Sequence, residues 1–423
     1  QHDWNGVVYG QQAKNFYRYG FIPLKFGATM ATPDVPAESR IFQIHYSPAL
    51  PMLISFSYRS FGVSERSTRL VPVVASLASV LLVMLLGRES ISFRAGIMAG
   101  ILMAVTPMFI YYGKNPVHEV VLLPLALLSF YSYQRFLKTN RDKWWKILLL
   151  SLIGAMLTGW SGYYATGLIF THGILLRRNE KIRFLQLPLT AATLLVIFFF
   201  HSKILNPQAT GDLQNIFLAR LGGASVGLMD FLIKEFRYSI NLFTITLLLL
   251  SMIWVFSTIP GILRKSLLFL RKQESTVIPA KAGIYSDIDS ESMSGMTRSV
   301  ILLLLGIFGI AHVLIFRQAG YYHEYLLFPL LPFVALASAG TVENLLKIFQ
   351  GLKIKILIAG FILFLTAKER LGYLQALLKS EYVKDIYEEA VEYGKIVKRN
   401  PDIIVPIERD VYFIFYADTV IKK

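Results

Sequence analysis

The chain contains no cysteine among its 423 residues. Disulfide bonds and thiolate metal sites are therefore excluded, and the redox compartment stays undetermined. Charged residues are also scarce, at 17% of the chain, whereas a soluble domain has roughly a quarter. Hydrophobic residues reach 54% and cluster in long runs. Because a membrane helix needs about 20 mostly apolar residues, these runs predict an all-α polytopic membrane protein.

Motifs for nucleotides and metals are missing as well. The sequence has no Walker loop, no dinucleotide-binding glycine motif and no metal-ligand cluster. We therefore expect no cofactor, and no divalent metal is indicated. The net charge of +16 would suggest nucleic acid in a soluble protein. Here many basic residues lie in short loops between apolar runs, which is typical of membrane topology, so no nucleic-acid partner is expected.

The apolar runs predict ten transmembrane helices. No run resembles a removable signal peptide, because the first begins near residue 70. The fourth and fifth are short and are separated by Gly159-Trp160-Ser161-Gly162. The predicted spans are 69–87, 93–112, 119–137, 146–160, 163–177, 185–201, 239–259, 299–316, 322–340 and 354–367.

Lysine and arginine are concentrated in alternate loops, which predicts the orientation of the chain. By the positive-inside rule the basic loops are cytoplasmic. The first loop and the tail are then both external. Ten is an even number of spans, which agrees with both ends on one side of the membrane. The predicted regions are an external loop at 1–68, a transmembrane bundle at 69–367 and an external tail at 368–423. Within the bundle, residues 261–298 form a cytoplasmic, insert-like loop. The basic loops fall at 88–94, 135–146, 177–183, 264–298 and 347–355.

The two external regions have mixed composition. In the first, the pattern from Val7 to Tyr19 predicts an amphipathic helix that ends at Gly20, and residues 49–61 predict a second helix in the membrane interface. In the tail, residues 378–398 predict one charged amphipathic helix. Residues 403–405 and 411–416 predict strands, so the tail is expected to be a small, incomplete α/β segment.

Four short motifs, taken in order, resemble those of a known group of enzymes. The segment from His2-Asp3-Trp4-Asn5-Gly6 to Gly20 resembles the first external loop of polytopic glycosyltransferases with the type C fold. Within that fold, the segment resembles the protein O-mannosyltransferase family and its bacterial kin that glycosylate lipid A or lipopolysaccharide core. Three later motifs support the likeness: His45-Tyr46-Ser47-Pro48, Gly159-Trp160-Ser161-Gly162-Tyr163-Tyr164, and His323-Glu324-Tyr325 followed by Pro329 and Pro332.

The resemblance implies an activity and a location. Its members take a sugar from a polyprenyl phosphate on the external face and invert the anomeric carbon, which agrees with the lack of a nucleotide site. Their acceptors are lipids, glycans or proteins. The family also implies a membrane helix just before Asp3, so the chain is expected to be N-terminally truncated. The string Arg271–Ile284 resembles a translated bacterial repeat element, which indicates a bacterial source. Together with the external active face of the family, this predicts a bacterial inner membrane with a periplasmic active face.

Two acidic residues are the predicted catalytic groups. From the resemblance, Asp3 is the general base that takes the proton of the acceptor hydroxyl, and Glu119 assists it. Each has an ordinary alternative. Asp3 could cap a helix N-terminus. Glu119 could complement a helix dipole, with Asn115 as the N-cap and Pro116 as the first helical residue.

A lipid phosphate requires cations at the external surface. Lys114 is one candidate, although any single cation there could instead be an ordinary interfacial residue. His172 and His312 lie within spans and are expected to serve helix packing. The predicted substrate-binding residues are His45, Tyr46, His118, Lys203, Arg237, Arg317 and His323.

Two other functions fit the same composition. A transporter or flippase of lipid-linked sugars would also have many spans, external cations and aromatic span ends. Such proteins often contain inverted repeats, and the sequence shows no clear internal symmetry. An inactive fragment of a glycosyltransferase is the third possibility. A large external first loop favours the enzyme, because an enzyme needs such a platform and a carrier usually does not.

Overall fold

The computed structural model describes residues 4–177, 180–221, 226–275, 289–380, 384–399 and 410–418. It is almost entirely helical. The first 61 residues contain two helices with a short antiparallel strand pair between them, in which Ala28 is opposite Gln43. The two helices confirm the prediction for this region, and Gly20 ends the first with a φ of +81° that favours glycine. The elements are α1 (Trp4–Tyr19), β1 (Ala28–Thr29), a 3-10 helix (Ala37–Ser39), β2 (Phe42–Gln43) and α2 (Ala49–Phe61).

Helices are present at all ten predicted spans. Four stretches in the described part of the chain are long and apolar enough to cross a membrane alone, namely α3, α6, α9 and Glu324–Ile348, and a bent pair of helices could form a fifth span. The elements are α3 (Glu65–Ser90), α4 (Phe93–Ala104), α5 (Pro107–Tyr112), α6 (His118–Thr139), α7 (Asp142–Thr158), α8 (Ser161–Leu176), α9 (Lys181–Leu205), α10 (Ala209–Leu221), α11 (Leu228–Phe243), α12 (Ile245–Ser275), α13 (Asp289–Ile315), α14 (Arg317–Tyr322), a 3-10 helix (Glu324–Leu330), α15 (Leu331–Ile348) and α16 (Leu352–Lys368).

Two of the predicted spans are broken. The second breaks before Pro107, where the Thr106 hydroxyl accepts from the Phe109 amide and starts α5. The seventh was predicted as one helix over 239–259. It is instead divided between α11 and α12, which meet at a bend of 107°. Thr244 forms this bend with a φ of +75°. Glu369 caps α12 there by accepting from the Ile245 amide (2.7 Å), the Thr246 amide (3.0 Å) and the Thr246 hydroxyl (2.8 Å).

The helices differ in how much of their surface is covered by protein. α6 and α15 lie at the centre, and residues such as Leu123, Phe130 and Ala335 are fully buried. α9 lies at the edge, with Leu189, Phe200 and other apolar side chains exposed. Lipid tails are as apolar as these side chains, so an exposed apolar face is the expected surface of a helix that faces the bilayer.

The end of the bundle where α6 finishes is rich in ion pairs. Arg135 and Lys138 both contact Glu89, at 2.7 and 3.3 Å. Arg183 pairs with Glu180 at 3.2 Å and also contacts Asp142. These basic residues belong to the loops predicted to be cytoplasmic. The 22 residues of α6 separate them by about 30 Å from its first turn, where the cavity described below is found.

The described part of the tail contains three helices, and one prediction for it is wrong. α17 (Leu371–Ser380) and α18 (Lys384–Arg399) cover most of the predicted helix at 378–398, and residues 381–383 between them lie outside the described part of the chain. The predicted strand at 411–416 is part of α19 (Asp410–Ala417). A short continuous apolar run does not distinguish a strand from a buried helix, and here it packs on α1 as a helix. The other predicted strand, 403–405, lies outside the described residues.

Candidate active site

A cavity of about 570 Å³ opens at the end of the bundle where α6 begins. Six separate parts of the chain enclose it. They are the first turns of α1, residues 43–46 after β2, the start of α6, the turn between α7 and α8, the end of α10, and residues 312–326. All three later motifs of the sequence analysis therefore contribute residues to one cavity wall.

The first turns of α1 contribute Trp4, Asn5, Val8 and Tyr9 to the wall. Asp3, the predicted base, lies outside the described residues, but its neighbours Trp4 and Asn5 face the cavity. The polar face of α1 is buried against the first loop, where Asn15 donates to the Thr29 and Ala31 carbonyls at 2.8 and 2.7 Å. The polar side chains that predicted an amphipathic helix thus attach α1 to its own loop.

Glu119 occupies the first turn of α6 and is 5% exposed. Its Oε1 lies 3.6 Å from Nε2 of His312 on α13. The predicted Asn115 cap is wrong, because α6 begins at His118 with Val117 as its N-cap. Asn115 instead accepts from Arg69 at 3.1 Å. Glu119 can still complement the helix dipole, so the electrostatic alternative and a catalytic role are compatible.

Two buried histidines, His118 and His312, line the same space. His118 donates from Nδ1 to the Thr158 carbonyl at 2.7 Å, and its Nε2 has no hydrogen-bond partner in the described part of the chain. Neither ring nitrogen of His312 makes a hydrogen bond there, and its Nε2 has the contact with Glu119 given above. His312 was expected to serve helix packing, and it also lines the cavity. His172 does serve packing, because its Nδ1 pairs with the Tyr133 hydroxyl at 2.7 Å.

His45 and Tyr46 follow β2 and join several walls of the cavity. The Gln43 amide donates to Nε2 of His45 at 2.8 Å, and Trp160 donates to the His45 carbonyl at 3.1 Å. Burial, together with the charge of Arg220 and His118, lowers the pKa of His45 to about 4. His45 is therefore neutral at physiological pH. The Tyr46 ring stacks on His118 with centroids 4.4 Å apart.

This shift predicts a pH dependence of stability. The unfolded chain protonates His45 near pH 6.5 and the folded chain near pH 4, so the folded state loses stability as the pH falls through that interval. Thermal unfolding of the detergent-solubilised protein should show a steeper fall in midpoint between pH 6.5 and pH 4 than the His45→Gln variant. Identical slopes for the two proteins would show that His45 titrates normally.

Arg220, at the end of α10, is the cation of the cavity that the sequence analysis did not select. Its guanidinium donates to the Tyr46 hydroxyl at 2.9 Å and lies 4.8 Å from the centre of that ring. Tyr46 is thus held between Arg220 and His118. Burial and the charge of Glu119 raise the pKa of Tyr46 to about 12, so it remains a neutral hydroxyl. The sequence marks Arg220 only by its place in the predicted external loop at 202–238, which also contains Lys203 and Arg237.

The structure separates the predicted substrate-binding residues into two groups. His45, Tyr46, His118 and His323 line the cavity together with Glu119. Lys203 and Arg237 are exposed on α9 and α11 and do not line it, nor does Arg317, although its neighbours Phe316 and Gln318 do. Among the described residues no group of three histidine or acidic side chains is arranged to hold a metal ion.

Residues 45–205 match the sequence model of the dolichyl-phosphate-mannose-protein mannosyltransferase family. No curated protein matches the chain. Among solved structures, ArnT from Cupriavidus metallidurans matches with a TM-score of 0.65 in the apo state and 0.62 with undecaprenyl phosphate bound. The identities are 14% and 13%, and the matches cover 99% and 98% of this chain and 80% of ArnT.

AglB, the oligosaccharyltransferase from Archaeoglobus fulgidus, also matches. Its complex with an inhibitory peptide and a dolichol phosphate gives a TM-score of 0.55 at 14% identity, over 98% of this chain and 59% of AglB. The fold is therefore that of the type C membrane glycosyltransferases, and the resemblance predicted from the sequence motifs is confirmed. The fold and the family match indicate the same enzyme class, a glycosyltransferase.

Proposed function

We propose that the chain transfers a sugar from a polyprenyl phosphate to a hydroxyl of a lipid, glycan or protein. One observation carries this proposal: the cavity joins a buried carboxylate, Glu119, and a guanidinium, Arg220, at one end of a type C fold. The guanidinium suits a phosphate, because it offers a planar fork of donors to the phosphate oxygens. The Glu119 carboxylate suits the acceptor, because it can orient the acceptor by hydrogen bonding while Asp3 takes the proton.

The reaction requires one displacement. An acceptor oxygen attacks the anomeric carbon as the bond from that carbon to the phosphate oxygen breaks. The proton of the acceptor passes to the carboxylate of Asp3. The phosphate leaves with the bonding electrons and remains attached to the polyprenyl chain. Attack opposite the leaving group inverts the anomeric carbon. The leaving group is a phosphate stabilised by Arg220, so no strong acid is needed.

Glu119 and His312 complete the acceptor side. Glu119 orients the acceptor beside Asp3, and the imidazole of His312, 3.6 Å away, keeps the Glu119 carboxylate in place. His118 is held by its bond to the Thr158 carbonyl and presents Nε2 to the same space. These side chains are buried before substrate arrives, so little reorganisation accompanies binding, which is the usual source of electrostatic stabilisation in enzymes.

The proposed location is the bacterial inner membrane, with the cavity on the periplasmic face. The distribution of charge supports it. The predicted cytoplasmic cations Arg135, Lys138 and Arg183 lie together at the end of the bundle away from the cavity. By the positive-inside rule that end faces the cytoplasm, so the cavity opens on the periplasmic side.

The function is tested with the chain reconstituted in liposomes that contain a labelled undecaprenyl-phosphate sugar. Added bacterial envelope lipids, glycans or proteins serve as acceptors. Movement of label from the polyprenyl lipid to an acceptor supports the proposal. Movement of labelled lipid between leaflets without transfer would instead support a flippase, and neither event would support an inactive protein.

Arg220 predicts a specific defect in donor binding. Arg220→Gln should weaken binding of undecaprenyl phosphate by roughly tenfold or more, because a hydrogen bond to a charged group contributes about 1.5–3 kcal/mol. Binding is measured by titration of the lipid into the protein in detergent. Arg237→Gln and Lys203→Gln are matched controls, since both residues are exposed outside the cavity, and should bind normally. If a control variant bound the lipid more weakly and Arg220→Gln bound it normally, the surface cations and not Arg220 would be the phosphate site.

A further inference from the structure

The tail helix α19 lies on α1, the helix that leads into the cavity. We infer that α19 is a positioning element of the active site, which fixes α1 through Asp418 and Phe415. The inference rests on the proposed function for its catalytic consequence. The attachment of α19 to α1 is a structural matter and is tested separately.

The contacts follow one stripe of α1. Gly10, Lys14 and Arg18 are spaced by four residues and therefore share a face of the helix. Lys14 donates to the Phe415 carbonyl at 2.6 Å and lies 3.6 Å from the Asp418 carboxylate. Arg18 pairs with both oxygens of the same carboxylate. Asp418 thus contacts two cations of α1 at once.

Shape reinforces the charge pairs. Phe415 is 6% exposed, and its ring lies so close to Gly10 that an added Cβ would be 2.8 Å from it. The Lys14 ammonium also lies 4.7 Å from the centre of the Phe415 ring. Only a residue without a side chain allows this approach of the two helices, so Gly10 is part of the attachment.

A second contact fixes α19 to the bundle itself. The Tyr416 hydroxyl donates to Glu65 in the first turn of α3 at 2.5 Å. α19 therefore bridges α1 and α3, while Asn15 attaches a different face of α1 to the first loop. A helix held on two faces cannot tilt freely. Its first turns, which carry Trp4 and Asn5 at the cavity, are placed by these contacts together.

The consequence concerns rate more than donor binding. The donor phosphate ligand, Arg220, lies on α10 and not on α1. A displacement of about 1 Å at a reacting group can lower the rate by a factor of roughly 10². Loss of the α19 contacts should therefore lower kcat and change the Kd for undecaprenyl phosphate by less than about threefold.

Asp418→Asn is the first test, in the full chain. Asp418 has a φ of +58°, a left-handed conformation that asparagine adopts readily, so the substitution removes charge without adding backbone strain. Amide hydrogen exchange of α1 should become faster, and kcat should fall roughly ten- to hundredfold. Gly10→Ala, which pushes Phe415 away, should have the same two effects. Gly167→Ala is the matched control, because its Cβ would meet nothing within 4 Å.

The outcomes separate the two proposals. Unchanged exchange of α1 in both variants would overturn the attachment, and faster exchange with unchanged kcat would overturn the effect on the site. A rise in the Kd for undecaprenyl phosphate as large as the fall in kcat would also contradict the effect on the site, because the α19 contacts would then affect donor binding. If the native chain itself transfers no sugar, the proposed function fails, while hydrogen exchange still decides whether α19 holds α1.

Discussion

Sugar transfer by the Asp3→Asn variant is expected to fall by a factor of roughly 10²–10⁴, the usual contribution of a general base. Asparagine preserves the size of the side chain but cannot accept the proton of the acceptor hydroxyl. The measurement is the initial rate of label transfer from undecaprenyl-phosphate sugar in liposomes. The Kd for undecaprenyl phosphate should stay within about threefold of the native value, because the donor phosphate is bound by Arg220.

Asp34→Asn is the matched control for Asp3. Asp34 is an exposed carboxylate of the same external loop and does not line the cavity, so its variant should transfer sugar at the native rate. The pH dependence of kcat/KM provides the second criterion. The acid limb of the native profile should be absent from the residual activity of Asp3→Asn. Transfer at the native rate would remove Asp3 from the mechanism.

Glu119→Gln should lower transfer by a factor of roughly 10², the scale expected when the acceptor is no longer held in line for attack. Glutamine replaces the carboxylate that orients the acceptor by a neutral amide and leaves His312 without its charged partner at 3.6 Å. The KM for the acceptor should rise and kcat should fall, whereas the KM for the donor should change little. Steady-state kinetics with each substrate varied in turn measures this division.

The pH profile distinguishes Glu119 from Asp3. If Glu119 orients the acceptor, the acid limb persists in Glu119→Gln. If the acid limb were lost in Glu119→Gln and kept in Asp3→Asn, Glu119 would be the general base and Asp3 would orient the acceptor. Glu324→Gln is a useful control. Glu324 lies between His323 and Tyr325, which line the cavity, but it accepts from the Tyr112 hydroxyl and does not line the wall.

Most of the fold could be predicted from the sequence, because long apolar runs can hardly be anything other than membrane helices. The amphipathic pattern of α1 and the start and end of α2 were equally readable. The bend at Thr244 was not. No proline or glycine marks that position, and the bend depends on Glu369, which is 123 residues away from Thr246 in the chain. The helix at 411–416 was missed because its apolar residues have no period of their own.

The candidate site was predicted mainly where motifs or span ends mark it. His45, Tyr46 and His323 occur in motifs, His118 lies at the start of a predicted span, and the structure brings them to one cavity. Arg220 and His312 lie outside any motif. A loop arginine and a histidine in an apolar helix have many ordinary roles, and only the fold shows that they face Glu119 and Tyr46. Lys203 and Arg237 lie outside the cavity, which the sequence could not show because their loops were known and their directions were not.

The cap at the start of α12 has a mechanical consequence. Three hydrogen bonds to one carboxylate tie Glu369, just past α16, to the bend where α11 turns away from α12. The helices on either side of the bend therefore cannot hinge as independent rods. Movement of α11 relative to α12 either breaks all three bonds together or draws the end of α16 with it. α16 contributes nothing to the cavity wall, but the bend thereby couples it to α11, which packs against α14 in that wall.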